Sequence, residues 1–183
     1  MVSAVDVRID IDGCAAATAL LLRTLESLTD EQARLPSLLP GWSVGHVLTH
    51  VARNADSVVR MVEAAQRGEV VFQYAEGQRE REIEEGSGRS ARELVDDVMR
   101  AADAVVRAWD ATSDDVWATG MCKVRSGDAP INVVPLRRWR EVEFHHADLG
   151  LGFTYADMSP AYLAREQSGI SPPPFGGRNP SGA

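Results

Sequence analysis

Several features of common protein classes are scarce in this sequence of 183 residues. It has two cysteines, Cys14 and Cys122, without CxxC spacing, so buried or idle thiols are the simplest interpretation and a disulfide is the minority alternative. Lysine and arginine number 19 against 27 acidic residues, and the formal net charge of -8 argues against nucleic-acid binding, which usually needs a basic face. No apolar run approaches the length that crosses a bilayer, so a membrane protein is not expected either.

The amino-terminal stretch MVSAVDVRIDID is not a secretion signal, because no apolar core follows a basic start. The hydrophobic fraction of 44% and the charged fraction of 25% are ordinary for a soluble globular protein. The length suits one domain, or one domain with a tail. We therefore expect a cytoplasmic protein with a single folded domain.

Four long amphipathic helices dominate the expected secondary structure, with apolar residues at helical spacing. Ser43 and Ser90 are expected to cap two of them, since a serine hydroxyl accepts a bond from a first-turn amide. The long helices are expected at about residues 13–28, 43–67, 90–109 and 135–149. Short helices are expected near 78–84 and 159–167, and residues 111–134 are expected to form a loop with at most one strand or turn.

This pattern, with few strand signals, predicts an all-α fold, an antiparallel helical bundle. The bundle is expected over residues 1–168. The tail, residues 169–183, is rich in proline and glycine and is expected to be flexible and disordered.

All four histidines lie in two helical segments: His46 and His50 in GWSVGHVLTHVARNADSVVR, and His145 and His146 in RRWREVEFHHADLG. Residues four apart share one helix face, which joins His46 to His50 and Glu141 to His145. A carboxylate and an imidazole from one helix, with an imidazole from the other, form a three-ligand set that suits zinc or a similar divalent ion. Three protein ligands leave a coordination position open, which is typical of catalytic sites.

Simpler interpretations stay open at this point. An HxxxH pattern arises by chance on many helices, and Glu141 could pair with Arg137 or Arg138 on the helix surface. A histidine on a partly apolar face is often a packed core residue. A helical bundle without a metal is therefore one alternative. A hydrolase with a Ser/His/Asp triad is disfavoured: the one GxSxG match, GWSVG at residues 41–45, falls where Ser43 is expected to cap a helix, with no strand signal before it.

Three segments carry a resemblance to a known family: GWSVGHVLTHVARNA, GQREREIEEGSGR and LRRWREVEFHHADLGLGF. They resemble the N-terminal domain of mycothiol-dependent maleylpyruvate isomerase, in the order found in that family and over about residues 16–163. That domain belongs to the DinB/YfiT-like superfamily of metal-binding four-helix bundles. The resemblance implies a DinB-like four-helix bundle with short extra helices and a bound divalent metal, in first place zinc.

The resemblance also implies roles for individual residues, as metal ligands, as a catalytic arginine or as contacts to a cofactor. His46 and His146 match positions where the family often has a histidine that is not a ligand. The implied roles are metal ligands His50, Glu141 and His145, catalytic Arg79, and cofactor-binding Arg140. Asn54, one turn past His50, is expected from its spacing to face the same cavity and to bind the cofactor.

The family's activity implies mycothiol, the low-molecular-weight thiol of actinobacteria, as a cosubstrate. A bound dication stabilises the thiolate at neutral pH. The thiolate adds to a conjugated cis double bond, rotation follows, and expulsion of the thiol leaves the trans product. The resemblance thus implies an isomerase, or a thiol S-transferase, that acts on a small electrophile, and superfamily bundles of this type often form homodimers.

Two departures favour a reaction other than maleylpyruvate isomerisation. The full isomerase has a further C-terminal domain that contributes to substrate binding, and the tail SPPPFGGRNPSGA stands where that domain should begin. Glu143 replaces a residue that is usually large and apolar or aromatic, which would add a negative charge close to the site or its rim.

The main alternative to an enzyme is a non-catalytic metal-binding module that binds a ligand or a protein partner.

Overall fold

The computed structural model describes residues 4–167, and helices make up most of that part of the chain. One antiparallel hairpin joins β1 (Met121–Val124) to β2 (Gly127–Pro130), and short 3-10 turns cover Ile131–Val133 and Tyr155–Asp157. The all-α fold predicted from the sequence is confirmed, whereas the predicted flexible tail lies outside the described residues. The helices are α1 (Ala4–Leu25), α2 (Asp30–Arg34), α3 (Val44–Gln66), α4 (Gln78–Gly86), α5 (Ala91–Asp110), α6 (Asp114–Thr119), α7 (Val134–Asp148) and α8 (Pro160–Gln167).

The four long helices form a bundle around one apolar core. Helix α3 packs against α5 and α7, and α1 packs against α7 and α5. Each long helix contributes a buried stripe, because its apolar residues recur every three or four positions. Fully burying one such Leu, Val or Met side chain contributes about 1.5–3 kcal/mol, so the core stabilises the crossing of α3 over α7 on which the candidate site depends. Representative core residues are Leu21, Leu25, Leu48, Met61, Leu94, Val98, Trp139 and Val142.

Serine capping boxes start α3 and α5, as the sequence predicts. The hydroxyl of Ser43 accepts from the amide of His46, and the ring Nδ1 of His46 accepts from the amide of Ser43 at 3.2 Å. In the same way Ser90 and Glu93 cap each other at α5. Each box satisfies two amides that the first turn leaves free. His46 is thus committed to the helix start, where it fixes the direction in which α3 leaves its cap.

Helix α1 begins at Ala4, nine residues before the predicted start near Gly13. Its first half is amphipathic, with Val7 buried, and the buried Asp10 pairs with Arg165 of α8 at 2.7 Å. Gly13 is inside the helix because α1 and α7 approach closely there: a Cβ atom on Gly13 would lie 2.2 Å from the indole ring of Trp139. Gly13 therefore marks a contact between two helices and not the start of a helix.

The expected loop over residues 111–134 contains helix α6 and the hairpin, so this prediction was partly wrong. Ser113 caps α6, and strand β1 also bonds to the chain before α4, where the amide of Gln73 donates to the carbonyl of Lys123 at 2.8 Å. The hairpin therefore holds residues 71–74 beside α3. Within residues 4–167, none of the helices is both long and apolar enough to cross a membrane.

Candidate metal centre

Helices α3 and α7 bring His50, Glu141 and His145 into one cluster. The Nε2 atom of His50 lies 2.9 Å from Oε2 of Glu141, and Nε2 of His145 lies 3.3 Å from the same oxygen. One ligand atom from each residue falls within 4.8 Å of the other two. Two imidazole nitrogens and a carboxylate oxygen therefore converge on one point. Glu141 forms these contacts and no ion pair with Arg137 or Arg138, so the surface pairing considered from the sequence is not seen in the described part of the chain.

Burial and mutual charge set the protonation of this cluster. Burial, together with the neighbouring charge of His145, lowers the pKa of His50 to about 4. Burial would also lower the pKa of His145, but hydrogen bonds to Asp148 and Glu141 raise it to about 9. Burial would raise the pKa of Glu141, yet the hydrogen bonds from both imidazoles hold it well below its usual value. The cluster thus combines an ionised carboxylate with a neutral, 3% exposed imidazole on α3.

Asp148 orients the imidazole of His145 from behind. Its Oδ2 lies 2.9 Å from Nδ1 of His145, and its Oδ1 accepts a hydrogen bond from the Tyr155 hydroxyl. A carboxylate on Nδ1 holds a proton there, so Nε2 would be the ligand atom once a metal ion displaces its proton, which is the arrangement that metal-binding histidines use. Sequence reasoning missed both residues, although the spacing from His145 to Asp148 is one that places two side chains on the same helix face.

Trp42 and Arg79 form the outer wall of the cluster. The indole ring of Trp42 lies 5.6 Å from the His50 ring and 6.2 Å from the His46 ring, measured between centroids. The Arg79 guanidinium lies 5.5 Å from the Trp42 ring centroid. Its side chain is 32% exposed, and its charge contributes to lowering the pKa of His50. Arg79, expected to be catalytic, is therefore close to the cluster and open to solvent, and Trp42 is a wall residue that the sequence did not single out.

Asn54 and Arg140, the expected cofactor-binding residues, line a cavity that also reaches Glu141. Asn54 is one turn beyond His50, and its Oδ1 accepts from Nη1 of the buried Arg138 at 2.8 Å. The guanidinium of Arg140 forms an ion pair with Glu166 of α8. Their proposed contacts to a cofactor stay predictions.

The remaining histidines and Glu143 point away from the cluster. Nε2 of His146 bonds to the Thr24 hydroxyl at 2.7 Å, and its ring stacks on Phe153. The expected placement of Glu143 near the site was wrong. Its buried carboxylate accepts from Nε1 of Trp139 at 3.0 Å, because two residues along a helix turn the side chain by about 200° relative to Glu141. Glu143 supports the contact between α7 and α1 and adds no charge at the rim.

These features define a DinB-like four-helix bundle with a His–Glu–His cluster between two of its helices. The model of the mycothiol maleylpyruvate isomerase N-terminal domain family matches residues 14–150, and the chain belongs to that family. The resemblance noted in the sequence is thereby confirmed.

Solved structures give the same result. A crystal structure of mycothiol-dependent maleylpyruvate isomerase superposes with a TM-score of 0.81 at 27% identity, covering 86% of this chain and 66% of that chain. A histidine-to-alanine mutant of such an isomerase gives 0.81 at 26% identity, with the same coverage of both chains. The chain thus spans 66% of the length of these structures. A comparison with curated protein sequences finds no significant match.

Proposed function

We propose that this protein is a metal-dependent enzyme that uses mycothiol and acts on a small electrophile, as an isomerase or as a thiol S-transferase. The observation that carries the proposal is the convergence of His50, Glu141 and His145 within 4.8 Å, in a chain of the mycothiol maleylpyruvate isomerase family. A cytoplasmic location and a homodimer are part of the proposal.

The donor set fits a divalent ion of the zinc type. Two imidazole nitrogens and one carboxylate oxygen are ligands that zinc prefers, with the ion displacing the proton that His145 carries in its absence, and three protein ligands are typical of catalytic zinc sites. The hydrogen bond of His145 to Asp148 supplies the usual support behind a histidine ligand. His50, Glu141 and His145 would hold the ion, and when bound it would stabilise a thiolate at neutral pH.

The nucleophile has to come from outside the protein. Cys14 and Cys122 are both buried, and burial raises the pKa of each thiol to about 11, so neither is a usable thiolate at neutral pH. An external thiol supplies the attacking sulfur. In an isomerisation it adds to a conjugated double bond and is expelled after rotation, so that the thiol is regenerated. In a transfer it stays on the product.

Arg79 and Trp42 have complementary roles in this proposal. Arg79, to which the resemblance assigns a catalytic role, is a partly exposed cation beside Trp42, and it would meet an anionic group of the thiol or the electrophile. The flat face of Trp42 beside His50 excludes water from one side of the cluster. Asn54 and Arg140 belong to the inner wall, where they would contact the cosubstrate.

The first test is the metal content of untagged protein, measured by elemental analysis. We expect about one divalent ion per chain in the wild type and a loss of most of it in His50→Ala and Glu141→Ala. His46→Ala is the matched control: it removes an imidazole from the same helix that is committed to the cap of α3, and it should retain the metal. Equal metal content in all four proteins would refute the ligand set.

The second test separates an enzyme from a non-catalytic metal-binding module. Maleylpyruvate and a panel of small electrophiles are assayed with and without mycothiol, using wild type and Arg79→Gln. We expect turnover that requires the thiol and the metal and that falls in the Arg79 variant. Metal binding without thiol-dependent turnover on any substrate would favour the module.

A further inference from the structure

A cavity beside Glu141 has an excess of positive charge that the proposed metal chemistry does not use. It lies between α3, α7 and the hairpin, and it contains about 420 Å³ of non-protein space including its mouth. Its inner part is narrow, since the centre of a water molecule can move through only about 30 Å³. Val58, Met61, Val124 and Val134 form an apolar part of the wall. The inner part therefore has room for a compact polar group such as a carboxylate, and the rest of a ligand would lie in the open mouth.

Three arginines of α7 line this cavity, and two of them have no carboxylate hydrogen-bonded to their guanidinium within residues 4–167. Arg140 forms an ion pair with Glu166. Arg138 is 3% exposed and donates to two neutral acceptors, the carbonyl of Val51 and Oδ1 of Asn54. The Nε atom of Arg137 is buried and has no hydrogen-bond partner among the described residues.

Uncompensated donors of this kind are costly in a protein interior. Arg138 is buried with neutral acceptors only, and Arg137 is half-buried with its Nε–H cut off from water, so each loses hydration that no hydrogen-bonded carboxylate replaces. Burial and the nearby charge of Arg140 already lower the pKa of Arg137. Asn54 adds a neutral donor on the same wall: its Oδ1 is fixed by Arg138, which leaves its Nδ2 without an acceptor among the described residues.

We infer that this cavity is an anion-binding site, with Arg137 as the residue that holds a carboxylate group of a small organic ligand. A guanidinium binds a carboxylate with two parallel hydrogen bonds, and the Asn54 amide supplies a further donor. The apolar residues of the wall contact the carbon chain behind the carboxylate. Because Glu141 also lines the cavity, a ligand held at Arg137 would lie beside the cluster. The identification of the bound ligand as the electrophile rests on the function proposed above, whereas the binding of an anion at Arg137 does not.

The test uses butyrate as the probe and butanamide as a neutral molecule of the same shape. The full chain as purified is titrated with each compound, and the side-chain Nε–H signals of arginine are followed by nuclear magnetic resonance. The Arg137 signal is assigned from its absence in Arg137→Lys. We expect butyrate to shift it in a saturable manner and butanamide to leave it in place.

Arg137→Gln should weaken butyrate binding about tenfold or more, since it removes a charged hydrogen-bonding partner. Arg92→Gln is the matched control: it makes the same charge change on the outer face of α5, where the side chain is 90% exposed, and binding should be unchanged. If Arg137→Gln does not fold, as judged by circular dichroism, the Arg137 signal of the wild type decides alone. An unshifted signal, equal binding of both probes, or unchanged affinity in Arg137→Gln overturns the inference.

The outcomes separate the anion site from the proposed function. Metal content is measured on the same samples, and Arg137→Gln should retain the metal because Arg137 is not a ligand. Butyrate binding at Arg137 in a protein without metal would leave the anion site standing and refute the metal centre. Metal content that depends on His50, together with an Arg137 signal that butyrate does not shift, would support the metal centre and refute the anion site.

Discussion

Replacing Asp148 is the sharpest probe of how the candidate metal centre is supported. Asp148 is 4% exposed, and its two oxygens are occupied by Nδ1 of His145 at 2.9 Å and by the Tyr155 hydroxyl. In Asp148→Asn the amide oxygen still accepts from His145, and the Tyr155 hydroxyl turns to accept from the new amide. The geometry survives and the negative charge is lost. In Asp148→Ala both partners lose their acceptor, and water cannot easily replace it in a buried position.

Carboxylates behind metal-binding histidines contribute about 10–100-fold to metal affinity, or about 1.4–2.7 kcal/mol. Because the asparagine preserves the shape, we expect a loss of zinc affinity near tenfold for Asp148→Asn and near a hundredfold for Asp148→Ala. The dissociation constants are measured by competition with a chelator of known affinity. Asp103→Asn, an exposed position on α5, controls for the change in charge. Zinc affinity equal to the wild type in both Asp148 variants would refute the support that we assign to this carboxylate.

Three further predictions concern stability. Gly13→Ala should lower the free energy of unfolding in urea by about 2 kcal/mol or more, because overlap with Trp139 outweighs the better helix propensity of alanine; an unchanged midpoint would contradict the close approach. Burial would raise the pKa of Asp97, but hydrogen bonds from Arg100 and its neighbours lower it overall, so this carboxylate stabilises the fold above about pH 4. The unfolding difference between wild type and Asp97→Asn, about 2 kcal/mol near neutral pH, should therefore shrink as the pH falls below that value, and a constant difference would contradict it. His50→Leu should leave the metal-free protein about as stable as the wild type and remove the thermal stabilisation that zinc gives, and its loss of fold in chelator would contradict a functional role for the imidazole.

Local chemistry made part of this fold predictable. A serine cap and a run of apolar residues at helical spacing are sufficient to define α3, since both signals lie within the segment itself. The pairing of Glu141 with His145 follows from one helical turn in the same way. Periodicity alone left the choice between His46 and His50 open. The structure places His46 in the cap of α3 and His50 beside Glu141.

The features that were missed depend on contacts between distant parts of the chain. Gly13 looks like a helix boundary until Trp139, 126 positions later, is packed against it. Residues 121–130 carry weak strand signals, and β1 is stabilised partly by residues 71–73. Glu143 was placed at the site rim because its neighbour Glu141 belongs there, but the direction of a side chain depends on the rotation of α7 against α1. None of these contacts can be predicted from the residues of its own segment alone.

The composition of the crossing between α3 and α7 is itself informative about function. Much of the buried surface of these helices is valine, leucine and alanine, and a largely buried set of two imidazoles and a carboxylate is at best neutral for folding compared with apolar residues of the same size. A ligand that binds only the folded state changes this balance, contributing about 4 kcal/mol at a thousandfold excess over its dissociation constant. Arg137 and Arg138, in the cavity beside the cluster, are positively charged groups without a hydrogen-bonded carboxylate among the described residues, and they too are unfavourable for folding when no ligand is bound. Adjacent sites for a cation and an anion in one bundle are costly for an empty fold, and they become favourable together when a metal and a carboxylate-bearing ligand occupy them.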